Sequence, residues 1–210
     1  SSAVFAMKIA SSLVQDGANN VIVVASEVYS KILNPSELKS YPYFGDGAAA
    51  LLIADSIDER VGYELVDFVL GSDGAGSDVI QVPAGGTMLP AWEVKNEKDF
   101  YFKMEGRKVY EFACDKGSMV IELLCSRNNI KPDVVIPHQA NANVIKEIAR
   151  RSDLAHELFY VNLDRFANTA GASVLIAFDE LIEKNLNSNN IFLVVFGGGL
   201  SWAGCYLKKC

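Results

Sequence analysis

Ile191-Phe-Leu-Val-Val-Phe-Gly-Gly-Gly-Leu-Ser-Trp-Ala-Gly-Cys-Tyr-Leu207 is the stretch that decides the fold. Ile191–Phe196 is a short, wholly apolar run, followed by glycines and rich in β-branched and aromatic residues, and so reads as a strand buried on both faces. Gly197-Gly-Gly199 is then a tight turn, and Trp202–Leu207 a closing strand that alternates. Working outward, Val134-Val-Ile136 is a second short buried strand ending at Pro137-His138, followed by a helix through Val144, Ile145 and Ile148. Gly106 to about Arg127 carries Val109, Phe112, Ala113, Met119, Val120, Leu123 and Leu124 at helical spacing. Leu158–Val161 reads as a strand and Ala170–Leu181 as a helix. Val21–Ala25 and Ala48–Ala54 read as buried strands, and Gly62–Leu70 as a partly alternating one. Buried strands alternating with helices predict an α/β architecture with both sheet faces covered.

The opening helix, from Ala3 to Gln15 and stopped by Gly17, is apolar on nearly all sides. Such a helix belongs inside a larger body, yet it starts with no cap and no preceding strand, so a further segment is expected before it. Between Gly71 and Lys98, glycines and prolines cluster in Gly71-Ser-Asp-Gly-Ala-Gly76 and Pro83-Ala-Gly-Gly86. That stretch reads as an ordered surface loop, and loops of this length usually serve a site or an interface.

Half of the 210 residues are hydrophobic, which suffices for a large core. Net charge is −7, from 26 acidic and 19 basic side chains, and argues against a broad nucleic-acid surface. No apolar run approaches the roughly 20 residues that span a bilayer, and the expected location is cytoplasmic. Cys114, Cys125, Cys205 and Cys210 lack C-x-x-C spacing and the chain has two histidines, so no metal site is expected. Cys114 and Cys125 fall in a helical apolar pattern and read as buried small thiols.

Three points place polar or glycine groups at strand ends, where α/β folds put their sites. His138 lies in Pro137-His-Gln-Ala-Asn141, Asn168 in Ala167-Asn-Thr-Ala-Gly-Ala-Ser173, and the triple glycine follows Phe196. Singly, each has an ordinary reading: a satisfied histidine, a helix N-cap, a plain turn. Asp46 in Phe44-Gly-Asp-Gly47 reads as a turn former ahead of a catalytic carboxylate, and His156, in a polar context before Glu157, as an ordinary satisfied histidine.

Taken in order and spacing, these segments resemble the β-ketoacyl-acyl carrier protein synthase III family of the thiolase superfamily. Leu70-Gly-Ser-Asp-Gly-Ala-Gly76, Val82-Pro-Ala-Gly-Gly86 and Met104-Glu-Gly-Arg-Lys-Val109 carry the same resemblance, which covers this whole chain and roughly the last two-thirds of a family member. It implies a thiolase-like layered αβαβα fold, with residues 1–98 the remainder of an incomplete N-terminal half and residues 99–210 a complete C-terminal half. It also implies that the family's nucleophilic cysteine lies immediately before Ser1; neither Ser1 nor Ser2 is at the matching position.

The resemblance implies an acyltransferase that condenses an acyl thioester, acyl-CoA, with a malonyl thioester. His138 and Asn168 would hold the second thioester, and Gly198 would give an oxyanion donor. Asn141, Gly106 and Arg107 match positions along the pantetheine and nucleotide channel, and Lys39 lies near a basic nucleotide position. No metal or redox cofactor is implied. Expected partners are acyl-CoA, an acyl carrier protein, and a second subunit in a homodimer or a heterodimer with a homologue. Asn143 stands where carrier-using members often have Arg, and Lys146, Arg150 and Arg151 are nearby cations. A specialised-metabolite acyltransferase and a non-catalytic thiolase-fold partner subunit are the alternatives.

Overall fold

The computed structural model describes residues 1–38, 40–56, 62–184 and 188–210. Helix α1 (Ser2–Gln15) leads to strand β1 (Asn20–Glu27), which pairs antiparallel with β2 (Gly47–Ala54) in a two-stranded sheet. Strand β3 (Tyr63–Ser72) is an edge of a four-stranded sheet, and a small β4 (Ile80–Gln81) pairs with β5 (Lys103–Met104). Then follow α2 (Gly106–Asn128), β6 (Val134–Pro137), α3 (Ala142–Arg151), α4 (Leu163–Phe166), α5 (Ser173–Glu183), β7 (Asn190–Gly197) and β8 (Ser201–Lys209). The large sheet runs β3-β8-β7-β6, with β6 and β7 parallel and the other pairs antiparallel.

Strand periodicity sorts β7 between two cores. Ile191, Leu193 and Val195 pack with α1, α5, β1 and β2, whereas Phe192, Val194 and Phe196 pack with α2 and α3. The layers are therefore the β1–β2 sheet, then α1 with α5, then the large sheet, then α2 with α3. Each large side chain so buried contributes about 1.5–3 kcal/mol. Strand β3, drawn from the first ninety-eight residues, pairs with β8, so the large sheet crosses the boundary placed between residues 98 and 99.

Three expectations need correction. β1 and β2 are not buried on both faces: Ile22 and Val24 are each 66% exposed and Leu52 is 59% exposed, because only one face of this sheet is covered by helices. α1 buries Ala3, Val4, Met7 and Ala10 but leaves Ile9 and Leu13 exposed. Leu158–Val161 is no strand; a 3-10 turn, His156–Leu158, precedes a single bridge of Phe159 to Val135. The long Gly71–Lys98 loop is ordered by 3-10 turns and by a bond from Ala84 N–H to the Asp99 carbonyl, and it presents Trp92 at 85% exposure.

Candidate active site

The first turn of α1 meets the ends of β1, β6 and β7 at a cavity of about 610 Å³. Ser1 and Ser2, His138, Asn168, Gly197 and Gly198 all line it. A mostly apolar wall continues through Phe5, Tyr29, Ile32, Phe44 and Phe102. In that wall Tyr29 and Phe44 stack with centroids 4.8 Å apart, and Phe102 meets both edge-on. The start of α1 approaches the β7–β8 turn closely: a Cβ on Gly197 would lie 3.8 Å from the Ser1 nitrogen, and Ser1 Oγ lies 2.5 Å from Ser201 Oγ. Ser201 Oγ also donates to the Gly198 carbonyl at 2.9 Å, bracing the glycine turn.

His138 sits where β6 ends, its N–H donated to the Val194 carbonyl at 2.7 Å, so the sheet itself fixes its backbone. Its Nδ1 lies 2.7 Å from Ser173 Oγ. Gln139 N–H donates to that same Oγ at 3.4 Å, so Ser173 is engaged with the Nδ1 edge of the imidazole and Nε2 is the other ring nitrogen. Burial pushes the imidazolium pKa down to about 3. The ring is therefore neutral at physiological pH.

Asn168 is buried and is held by its backbone rather than as a helix cap. Its N–H donates to the Tyr43 carbonyl and its carbonyl accepts from Gly45 N–H, at 2.9 and 3.0 Å. The neighbouring segment has no room for side chains: a Cβ on Gly45 would lie 2.4 Å from the Phe166 carbonyl oxygen. Asp46 braces this segment, accepting Ser30 N–H and the Ser30 hydroxyl, bonds that hold its carboxyl below the usual carboxylate range. That is the turn-forming reading of Asp46, and Asp46 does not line the cavity. Asn168 Oδ1 accepts from Ala170 N–H at 2.9 Å, leaving the amide NH₂ as the donor end. Ala167 and Ala170 flank it at φ +57° and +46°, a conformation that costs a non-glycine residue roughly 1–3 kcal/mol and persists only when its surroundings impose it.

The remaining candidates lie outside the cavity wall. Asn141 caps α3 by accepting Asn143 N–H at 2.8 Å and is exposed. Gly106 opens α2 and is exposed, and Arg107 extends to Glu111 on the helix surface. Lys39 lies outside the described residues. Arg150 and Arg151 are both paired with Glu147. Gln139, by contrast, points into the core, bridging the Pro137 and Tyr160 carbonyls and Asn162 N–H. Sequence reasoning missed Ser173 and Glu27; the former lies within the quoted Asn168 segment, but nothing local marks it as a partner of His138. Among the described residues, no group of His, Cys, Asp and Glu is arranged to hold a metal ion, and no helix is long and apolar enough to cross a membrane.

Comparison with known proteins gives the same picture. Residues 1–74 match the family described as 3-oxoacyl-[acyl-carrier-protein (ACP)] synthase III, and residues 125–209 match its C-terminal family. A beta-ketoacyl-[acyl-carrier-protein] synthase III of Caldanaerobacter subterraneus subsp. tengcongensis is 37% identical over 98% of this chain. The chain spans 63% of that relative's length. The crystal structure of 3-oxoacyl-(acyl carrier protein) synthase III from Pseudomonas aeruginosa PAO1 superposes with a TM-score of 0.86 at 27% identity, over 98% of this chain and 63% of that one. The priming β-ketosynthase of the R1128 polyketide pathway gives 0.81 at 25% identity, over 98% and 62%. With two family matches along the chain and a thiolase-like α/β fold shared with these enzymes, the chain belongs to the 3-oxoacyl-[acyl-carrier-protein] synthase III family.

Proposed function

We propose that this chain carries the second-thioester site of a cysteine-dependent condensing enzyme acting in the cytoplasm, with the nucleophilic cysteine immediately before Ser1. The observation that carries the reading is the pairing of donors at one cavity: His138, with Nδ1 engaged by Ser173, and Asn168, with Oδ1 engaged by Ala170, both beside the first turn of α1.

In this reading the α1 N-terminus lowers the thiol pKa, and the thiolate attacks the carbonyl of an acyl-CoA. The oxyanion accepts N–H bonds from the cysteine itself and from Gly198, and coenzyme A leaves as its thiol. A malonyl thioester then binds with its carbonyl oxygen facing His138 and Asn168. Carbon dioxide departs, the electron pair of the broken C–C bond becomes the enolate, and the two N–H donors stabilise the charge on oxygen. The enolate carbon attacks the acyl-cysteine, expelling the thiolate and leaving a 3-oxoacyl thioester. A neutral His138 suits this role, since the step needs a donor and no proton removal.

Asn141, Gly106 and Arg107 serve the approach of pantetheine and nucleotide. Their sequence neighbours Ala140, Met104 and Val109 line the cavity, which supports placing them at its mouth. Lys39 belongs to the same nucleotide contact. The functional protein is a homodimer or a heterodimer with a homologue. Asn143, in place of the Arg frequent in carrier-using members, favours an acceptor or donor other than the standard carrier protein, as a specialised-metabolite enzyme would use.

The test is a mass measurement on the full-length protein. Incubation with acyl-CoA is expected to add one acyl group at the residue before Ser1. His138→Ala is expected to lower condensation with the malonyl donor by about a hundredfold, the cost of a lost oxyanion donor, and to affect acylation much less. No acyl uptake from any thioester would make the chain a non-catalytic partner subunit instead. Loss of acylation with condensation spared would overturn the role given to His138.

A further inference from the structure

Glu27 is the last residue of β1, and its carboxylate is one of the polar groups lining the cavity. Its Oε1 accepts Gly171 N–H at 3.1 Å, a bond between residues 144 positions apart in the chain. Gly171 belongs to the turn that begins at Asn168, in which Ala170 N–H is bound to Asn168 Oδ1 and Ala172 N–H to the Thr169 carbonyl. A Cβ on Gly171 would lie 2.5 Å from both Glu27 Oε1 and Ser2 Oγ, so the turn is pressed against the carboxylate and the start of α1 together. Glu27 thus contacts the far end of the turn whose near end carries the Asn168 amide.

The turn needs such a restraint. Ala167 and Ala170 lie in the left-handed half of backbone space without being glycine, and such conformations hold only where neighbouring structure imposes them. On one side the restraint is visible: the Asn168 backbone is tied to Tyr43 and Gly45. On the other, the Glu27 bond is the charge-assisted contact that fixes Gly171, and bonds of this kind are about twice as strong as neutral ones. Ala170 lies between these anchors, and it is Ala170 N–H that orients the Asn168 side chain by occupying Oδ1.

We propose that Glu27 is a positioning residue: by accepting Gly171 N–H it holds the Asn168–Gly171 turn in its left-handed conformation and so aims the Asn168 amide into the cavity. The functional consequence rests on the condensing reading above, whereas the structural one does not. Glu27 acts through its oxygen as an acceptor and transfers no proton. A glutamine at this position retains the acceptor and an alanine removes it.

The experiment compares Glu27→Ala, Glu27→Gln and Asn168→Ala in the full-length protein, measuring acylation by mass and condensation separately. Glu27→Ala is expected to reduce the ratio of condensation to acylation on the order of tenfold to a hundredfold, since small misplacements of a catalytic group carry costs of that size. Glu27→Gln is expected to restore most of that ratio. Equal loss in the glutamine variant overturns the acceptor role and points to the charge itself. A parallel fall of acylation, condensation and melting temperature in Glu27→Ala overturns it too, by making the residue merely structural. A crystal structure of the Glu27→Ala protein supplies the independent arm: residues 169–171 are expected to shift and the Asn168 amide to turn, and an unmoved turn sinks the proposal whatever the kinetics. If Asn168→Ala condenses normally while the turn does move in Glu27→Ala, the condensing reading fails and the positioning inference stands.

Discussion

His138 shows how one side chain acquires its chemistry from several elements. β6 delivers it to the cavity, Ser173 on α5 engages its Nδ1, and burial removes its charge. The lowered pKa has a consequence for stability whose sign follows from linkage. The unfolded chain takes up the imidazole proton near pH 6.5, the folded one only near 3, so the neutral ring's contribution is complete above about pH 6.5 and is lost as pH falls through that interval. Denaturant midpoints of the native protein should therefore decline between about pH 7.5 and pH 5 by more than those of His138→Gln. Imidazole resonances of His138 should meanwhile stay in their neutral positions across that range. A titration of this ring near pH 6.5 would remove both the linkage and the neutral donor.

At the scale of elements, close packing decides more than polarity does. β8 lies against α2 without a side chain at Gly204: a Cβ there would fall 2.3 Å from Val120 Cγ1 and 3.1 Å from Leu124 Cδ1. Val120 and Leu124 are fully enclosed in the outer core and have nowhere to retreat. Gly204→Ala is expected to cost about 1–3 kcal/mol, the usual range for overpacking, seen as a lower denaturant midpoint at unchanged slope. An unshifted midpoint would show that α2 slides on the sheet more freely than its packing indicates. Trp202, on the same strand, closes against Gly71 of β3, takes Lys116 over its ring at 4.9 Å, and meets Phe112 edge-on. One sheet surface is thereby sealed by aromatic and glycine pairs.

For the whole molecule, the uncovered face of the β1–β2 sheet is the conspicuous feature. Ile22, Val24 and Leu52 share it, and Ile9 and Leu13 of α1 and Val28 are exposed as well. Exposed apolar surface of this kind drives association. A protein of these 210 residues is expected to show a light-scattering mass above its 22.8 kDa and to bind a hydrophobic dye. Replacing Ile22 and Val24 together by lysine should reduce both signals while leaving far-ultraviolet circular dichroism intact, since neither side chain enters a core cluster. Dye binding and mass that ignore this double substitution would locate the sticky surface elsewhere, with exposed Met88 and Trp92 on the long loop the next to probe.

The sequence by itself determined the strands and helices of the large sheet and the order of the site segments. Runs such as Ile191–Phe196, enclosed on both faces, are apolar at every position, and glycine and helical periodicity mark their ends. It also carried the resemblance in which His138, Asn168 and the glycine turn stand together. Only the tertiary structure decided that β1 and β2 present a bare face, because Val21–Ala25 reads as continuously apolar whether or not anything covers its second side. Likewise, the stretch at Leu158–Val161 has strand-forming residues but finds one bridge, Val135 to Phe159, and no ladder. Ser173 and Glu27 were invisible for a related reason: a hydroxyl and a carboxylate gain their roles from groups 35 and 144 residues away, and no local spacing records which backbone N–H or imidazole nitrogen folding will bring to them.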